Sequence, residues 1–182
     1  MKKDTREILL DAATEVLSKN PGAYMGEVAE TAGVGRATLY RHFPSRDDLI
    51  RELTIASYKQ MDAALAPVMA KDLSAKDMLL ALLEEIIPLG DRYNFLLSER
   101  SFEDDPEVRS FEDRNQQDWG AFFEELKTDG VIAPDVPTAW AVATIEALIY
   151  SAWSSASDGY IATRDAPKLV YRTLLSGLGP KS

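Results

Sequence analysis

Between Arg36 and Arg46 the chain carries three arginines, Arg36, Arg41 and Arg46, interleaved with Thr38, Tyr40 and His42 and with no acidic residue. A guanidinium offers five N–H donors in a planar fork, and hydroxyl and imidazole groups add single donors. Such a set suits charge-assisted bonds to phosphates and bidentate bonds to base edges. Its plainer use is a solvated basic face. Catalysis has little to work with. There is no Cys and a single His, which removes disulfides, thiolate metal sites and cysteine nucleophiles and makes a His-rich metal site impossible. A Ser-His-Asp hydrolase would have to use His42, which lies inside the basic run. No Gly-rich phosphate loop is present. We expect no catalytic residue, no metal ligand and no cofactor.

The charge around this run is uneven. The first 51 residues hold eight basic and eight acidic groups, whereas the remainder holds 12 and 22, which accounts for the whole net charge of -10. Global acidity repels phosphate, but a local basic patch on a separate small domain can still bind it. No apolar run reaches the roughly 18 residues of a membrane span. The opening Met1-Lys2-Lys3 resembles the start of a signal peptide, but Asp4, Arg6 and Glu7 stand where its apolar stretch belongs. The expected location is the cytoplasm, with no membrane contact.

The elements that must position these residues are helices. Residues 4–19 place Ile8, Leu9, Ala12, Ala13, Val16 and Leu17 on one 3.6-residue stripe, and Asp4 with Glu7 forms a capping box. Asn20-Pro21-Gly22 ends this helix. A short helix is expected over 25–31, closed by Gly33 in the left-handed position. A third is expected over 36–42, ended by Phe43-Pro44. Ser45 and Asp48 form a second capping box, opening a long helix to about Met69. Further helices are expected over 74–88, 91–99, 106–127, 137–157 and 167–178. No strand-like alternation, repeat or low-complexity tract is visible.

Two short helices joined by a tight glycine turn, the second bearing basic and hydroxyl groups, describe a helix-turn-helix. Val28, Ala29, Val34 and Leu39 can close its small core, and Ala29 and Gly33 let the helices cross closely. The run from Glu27 to Leu49, EVAETAGVGRATLYRHFPSRDDL, resembles the DNA-binding signature of the tetracycline-repressor (TetR) family, as does the preceding helix with Ala12, Ala13 and Leu17. The resemblance covers about residues 5–52. It implies that the helix over 36–42 is a recognition helix entering the major groove, with Gly35 as its cap. It further implies that Arg36, Ala37 and Thr38 approach base edges, that Tyr40, His42 and Arg46 contact phosphates, and that Arg41 reaches either. Tyr24 departs from the pattern, standing where the family has a capping Thr or Ser. Gly35 replaces a frequent Ser, and Arg46 replaces the usual Lys. On the other side, Leu39 and Phe43 read as core, Tyr40 and His42 could be packing or surface residues without a role, and Thr38 could merely satisfy a backbone carbonyl.

Between Val136 and Ser157 the only charged residue is Glu146. A helix apolar on nearly all sides must be covered on more than one face. Ala143, Ala147, Ser151 and Ser154 make a small-residue strip suited to close helix contact, and the last helix offers Leu169, Val170, Thr173, Leu174 and Gly177. In the TetR family the last two helices form a four-helix dimer interface, and this pair resembles it. A single-chain core is the alternative. The stripe Val108, Phe111, Asn115, Trp119, Phe122 carries one polar member. Such a stripe is ordinarily core, but with Met61, Phe95 and Glu146 it could line a site for a small organic effector. Arg92 or Arg114 would be the plain partner for Glu146. The absence of His beyond position 42 argues against a tetracycline–magnesium type of site.

The expected architecture is therefore all-α. A helix-turn-helix DNA-binding domain (1–47) precedes a helical effector-binding and dimerisation domain (48–182). The function expected is that of a ligand-responsive DNA-binding transcriptional regulator, a homodimer on a near-palindromic double-stranded operator. Its repressor character comes from the family resemblance. A DNA-binding architectural or adaptor protein without an effector is the alternative.

Overall fold

The structure is a computed structural model, and it describes residues 4–90, 92, 95, 102 and 104–180. Among the described residues there are eight α-helices, two 3-10 turns and no strand. The helices are α1 (Thr5–Lys19), α2 (Met25–Thr31), α3 (Arg36–His42), α4 (Arg46–Met69), α5 (Ala75–Ile86), α6 (Pro106–Thr128), α7 (Thr138–Ser157) and α8 (Ala166–Leu178). The helix expected over 91–99 falls largely outside the described residues, of which Arg92 and Phe95 are helical.

The chain forms two compact units. The first comprises 1–60 and 91–108, the second 61–90 and 109–182. These units differ from the division expected at residue 47, because the first fifteen residues of α4 group with α1–α3. Its apolar side supplies Leu49, Ile50 and Leu53 to the same core as Leu9, Ala13, Leu17, Val28, Ala29, Leu39 and Phe43.

Capping explains where the short helices begin and end. The Glu7 carboxylate accepts the Asp4 N–H at 3.2 Å. Gly33 has φ 66°, the Gly33 N–H donates to the Glu30 carbonyl and the Val34 N–H to that of Ala29, which is the Schellman closure of α2. Asp48 accepts from both the N–H and the hydroxyl of Ser45 and donates its own N–H to the Ser45 hydroxyl, so α4 opens on a complete capping box. Tyr24 supplies no family-type cap, yet α2 starts at Met25. The Glu27 carboxylate accepts the Tyr24 N–H at 2.7 Å, the half of a capping box that needs no Ser or Thr.

In the second unit α8 packs on α5 and α7. Helix α7 buries one stripe, Ala141, Ile145, Ile149 and Ala152, and α8 buries Val170, Leu174 and Leu178. Helix α6 turns Trp119, Phe123 and Leu126 inward. Phe122, expected on that stripe, is only half-buried. The four-residue step from Trp119 to Phe123, rather than the three-residue step to Phe122, follows the buried line of this helix.

Candidate nucleic-acid interface

Helix α3 has a single buried side chain, Leu39, which joins Phe43 in the core of the first unit. With 3.6 residues per turn, this one anchor sends the rest of the helix outward. Gly35, Arg36, Ala37, Tyr40 and Arg41 are exposed, and Thr38, His42 and Arg46 are half-buried. The structure thus brings all eight expected DNA-facing residues together on and just beyond one short helix. Among the described residues Arg36 and Arg41 make no hydrogen bond or ion pair, so their donors face solvent. The Arg36 guanidinium lies over Gly26 in the first turn of α2.

Arg46 is placed differently from a free phosphate contact. Its Nη1 donates to the Ala23 carbonyl at 2.6 Å and its Nη2 to that of Pro21 at 2.5 Å. It clamps the α1–α2 loop, with part of its donor set already used. His42 stands 6.5 Å from the Phe43 ring, centroid to centroid. Behind the helix, Arg6 lies 5.4 Å above the Phe43 ring and pairs with Glu52, fixing α1 to the start of α4.

The remaining expected residues spread over both units. Phe95 is buried within the core of the first unit, beside the residues of α1–α4, and its apolar surface is used there. Met61 and Trp119 are buried, Phe111, Phe122 and Glu146 are half-buried, and Asn115 is exposed. Trp119 meets Phe122 edge-on at 6.2 Å, and Arg114 lies 5.0 Å over the Phe111 ring while pairing with Asp62. Arg92 pairs with Asp11 and donates to Thr14. The two arginines considered for Glu146 are therefore engaged by Asp62 and Asp11.

Of the nine expected interface residues, Ala143, Ala147, Ser151, Thr173 and Gly177 are exposed and Ser154 and Leu169 half-buried. Val170 and Leu174 are 3% and 1% exposed and belong to the chain's own core. Trp140 and Tyr150, which the sequence reading passed over, extend the outward face of α7 at 63% and 46% exposure. A third residue missed is Ser57 on α4. It is fully buried, and its hydroxyl is the one buried side-chain polar atom without a hydrogen-bond partner among the described residues.

The sequence pattern of the bacterial regulatory proteins of the tetR family matches residues 9–53, the stretch that builds α1–α3 and the start of α4. Beyond it, the HTH-type transcriptional repressor LfrR of Mycolicibacterium smegmatis is 32% identical over 165 residues, spanning 87% of this chain and 82% of its own. The chain belongs to the TetR family. A crystal structure of LfrR from Mycobacterium smegmatis in complex with proflavine superimposes with a TM-score of 0.79 at 29% identity, covering 97% of each chain. FadR from Bacillus subtilis, in complex with stearoyl-CoA, shares the fold at a TM-score of 0.69 and 19% identity over 94% of this chain and 98% of its own. As a TetR-family protein the chain is a ligand-responsive, DNA-binding transcriptional regulator, the function expected from the resemblance of residues 5–52. Among the described residues no helix is long and apolar enough to cross a membrane.

Proposed function

We propose that α3 enters the major groove of a near-palindromic operator, with Arg36, Ala37 and Thr38 towards base edges and Tyr40, His42 and Arg46 towards phosphates. The observation that carries this reading is the pair of solvent-facing arginines, Arg36 and Arg41, on a helix held by one buried leucine. In this division of labour residues 1–47 contact DNA and 48–182 carry the effector and the dimer contact. The dimer forms through the outward faces of α7 and α8, where Ala143, Ala147 and Ser151 permit close approach and Trp140 and Tyr150 supply buried area. Twofold symmetry then presents two recognition helices to successive major-groove exposures of one duplex face.

The effector is a flat, largely apolar and cationic molecule, taken up by the second unit near Trp119, Phe111, Phe122 and Glu146. Two features support this: the acidity lies wholly in the C-terminal part of the sequence, and the relative LfrR is solved with proflavine. Asn115 in this setting is a rim residue, since it is exposed. Binding must favour the conformation that does not fit the operator, because equal affinity for both states shifts nothing. A coupling of about 1–3 kcal/mol weakens operator binding some 5- to 150-fold. The protein then acts as a cytoplasmic repressor released by its effector. The test is fluorescence anisotropy with a duplex selected by the purified protein from a random library, titrated with proflavine. Binding with a steep salt dependence and release on addition of proflavine is the expected result. No selectable duplex overturns the DNA reading, and a selected duplex indifferent to proflavine overturns the proposed effector class.

A further inference from the structure

The Arg36 side chain does not extend straight from α3. A Cβ placed on Gly26 would stand 2.9 Å from Nη2, 3.0 Å from Nε and 3.1 Å from Cζ of Arg36. The guanidinium therefore occupies the space that any other residue at position 26 would fill. Gly26 has no conformational reason to be glycine. It is the second residue of α2, and the positive-φ glycines are Gly33, Gly130 and Gly159. An alanine would suit this helix better than glycine does. What position 26 requires is open space for the flat group above it.

We propose that Gly26 is a specificity-determining position, acting as the platform that holds the Arg36 guanidinium in the orientation from which it reads a base. The inference rests on the proposed role of Arg36 at the operator. A free arginine samples many rotamers and must be ordered when it binds. Here the platform restricts the side chain before DNA arrives, while its N–H donors remain without partners among the described residues. The plane of the fork matters because a bidentate bond to the O6 and N7 of guanine needs both donors in the base plane. Gly26 touches no base in this arrangement. It is a positioning residue, and its side chain of a single hydrogen sets what Arg36 selects. The three heavy atoms nearest a Cβ at position 26 all belong to Arg36. The steric conflict created by a Cβ falls on the mobile end of Arg36 and not on the backbone, so a larger residue moves the arginine at little cost to the fold.

The test is a double-mutant cycle on DNA discrimination. The parent, Gly26→Ala, Arg36→Ala and the double variant are titrated by fluorescence anisotropy against the library-selected duplex. The same four proteins are titrated against its single-base substitutions and a random duplex. Arg36→Ala is expected to lose about 5- to 150-fold discrimination at one base pair in each half-site. Gly26→Ala is expected to lose about three- to tenfold at that same pair while keeping its affinity for the random duplex and a melting temperature no lower than the parent's. In the Arg36→Ala background the Gly26→Ala change is expected to have no effect on discrimination. Full discrimination by Gly26→Ala overturns the inference, as does a loss that persists without Arg36 or is uniform across all duplexes. If Arg36→Ala itself discriminates as the parent does, the base-reading role fails first. That outcome is separate from a failure confined to Gly26.

Discussion

Asp105 accepts the Nε–H of Arg51 at 2.8 Å, and the same carboxylate accepts the backbone N–H groups of Glu107 at 2.9 Å and Val108 at 3.2 Å. One side chain thus ties the early part of α4 to the first turn of α6, and Glu107 adds a second contact to Arg51 at 3.1 Å. A carboxylate at the start of a helix also faces its unsatisfied N–H groups, which favours the charged form. The Arg51 guanidinium holds the Asp105 carboxyl below the usual carboxylate range, and the two acids raise the pKa of Arg51.

The sign of the linkage follows. A carboxyl whose folded pKa is depressed stabilises the protein above its unfolded pKa and loses that contribution as pH falls through the folded value. Asp105→Asn should therefore lower the melting temperature by a constant margin from pH 8 to about pH 5. The margin should close only below the ordinary carboxylate value of 3.8. Thermal melts of both proteins across pH check this; a margin that vanishes between pH 5 and 7 contradicts it.

Arg36→Ala and Arg46→Ala should differ in kind. The first should cost about 1–3 kcal/mol of base discrimination and leave the melting temperature unchanged. The second should weaken all duplexes alike and lower the salt slope by about one. It should also destabilise the fold by roughly 1 kcal/mol, because Arg46 holds the Pro21 and Ala23 carbonyls. Melts and anisotropy on the same preparations separate the two effects.

Ala147→Arg should convert a dimer to folded monomers, since Ala147 is exposed within its own chain and a charge there opposes only a partner. Light scattering reads the mass and circular dichroism the helix content. A monomeric parent, or a variant that stays dimeric, contradicts the proposed interface.

Gly90→Ala should destabilise the second unit. A Cβ there would lie 1.5 Å from Cδ1 of Trp153, and overpacking of this kind costs about 1–3 kcal/mol. The melting temperature should fall by roughly 2–10 °C. An unchanged melt would show that the Trp153 indole moves aside freely.

Ser57→Ala should leave stability unchanged or raise it by up to about 1 kcal/mol, because the buried hydroxyl lacks a partner and its desolvation is uncompensated. A clear loss of stability in chemical denaturation would show that the hydroxyl is satisfied in solution.

Local rules made much of the first unit legible. The stripe of α1, the Schellman turn at Gly33, the Ser45–Asp48 box and the placement of Leu39 each depend on residues within a few positions of one another. Their physics is therefore complete in the sequence. The single inward leucine of α3 also fixed which side chains could face DNA. Other features depended on residues far apart in the chain. Whether Arg46 meets phosphate or the Pro21 and Ala23 carbonyls turns on a loop more than twenty residues away. That Phe95 joins the core of α1–α4, that Val170 and Leu174 face inward, and that Asn115 meets solvent were equally hidden. Helical periodicity gives the width of an apolar stripe but not which neighbour covers each part of it. The least visible relationship was the smallest. Gly26 reads in sequence as an ordinary helix residue, and only the folded turn, which sets Arg36 above it, gives the missing side chain a meaning.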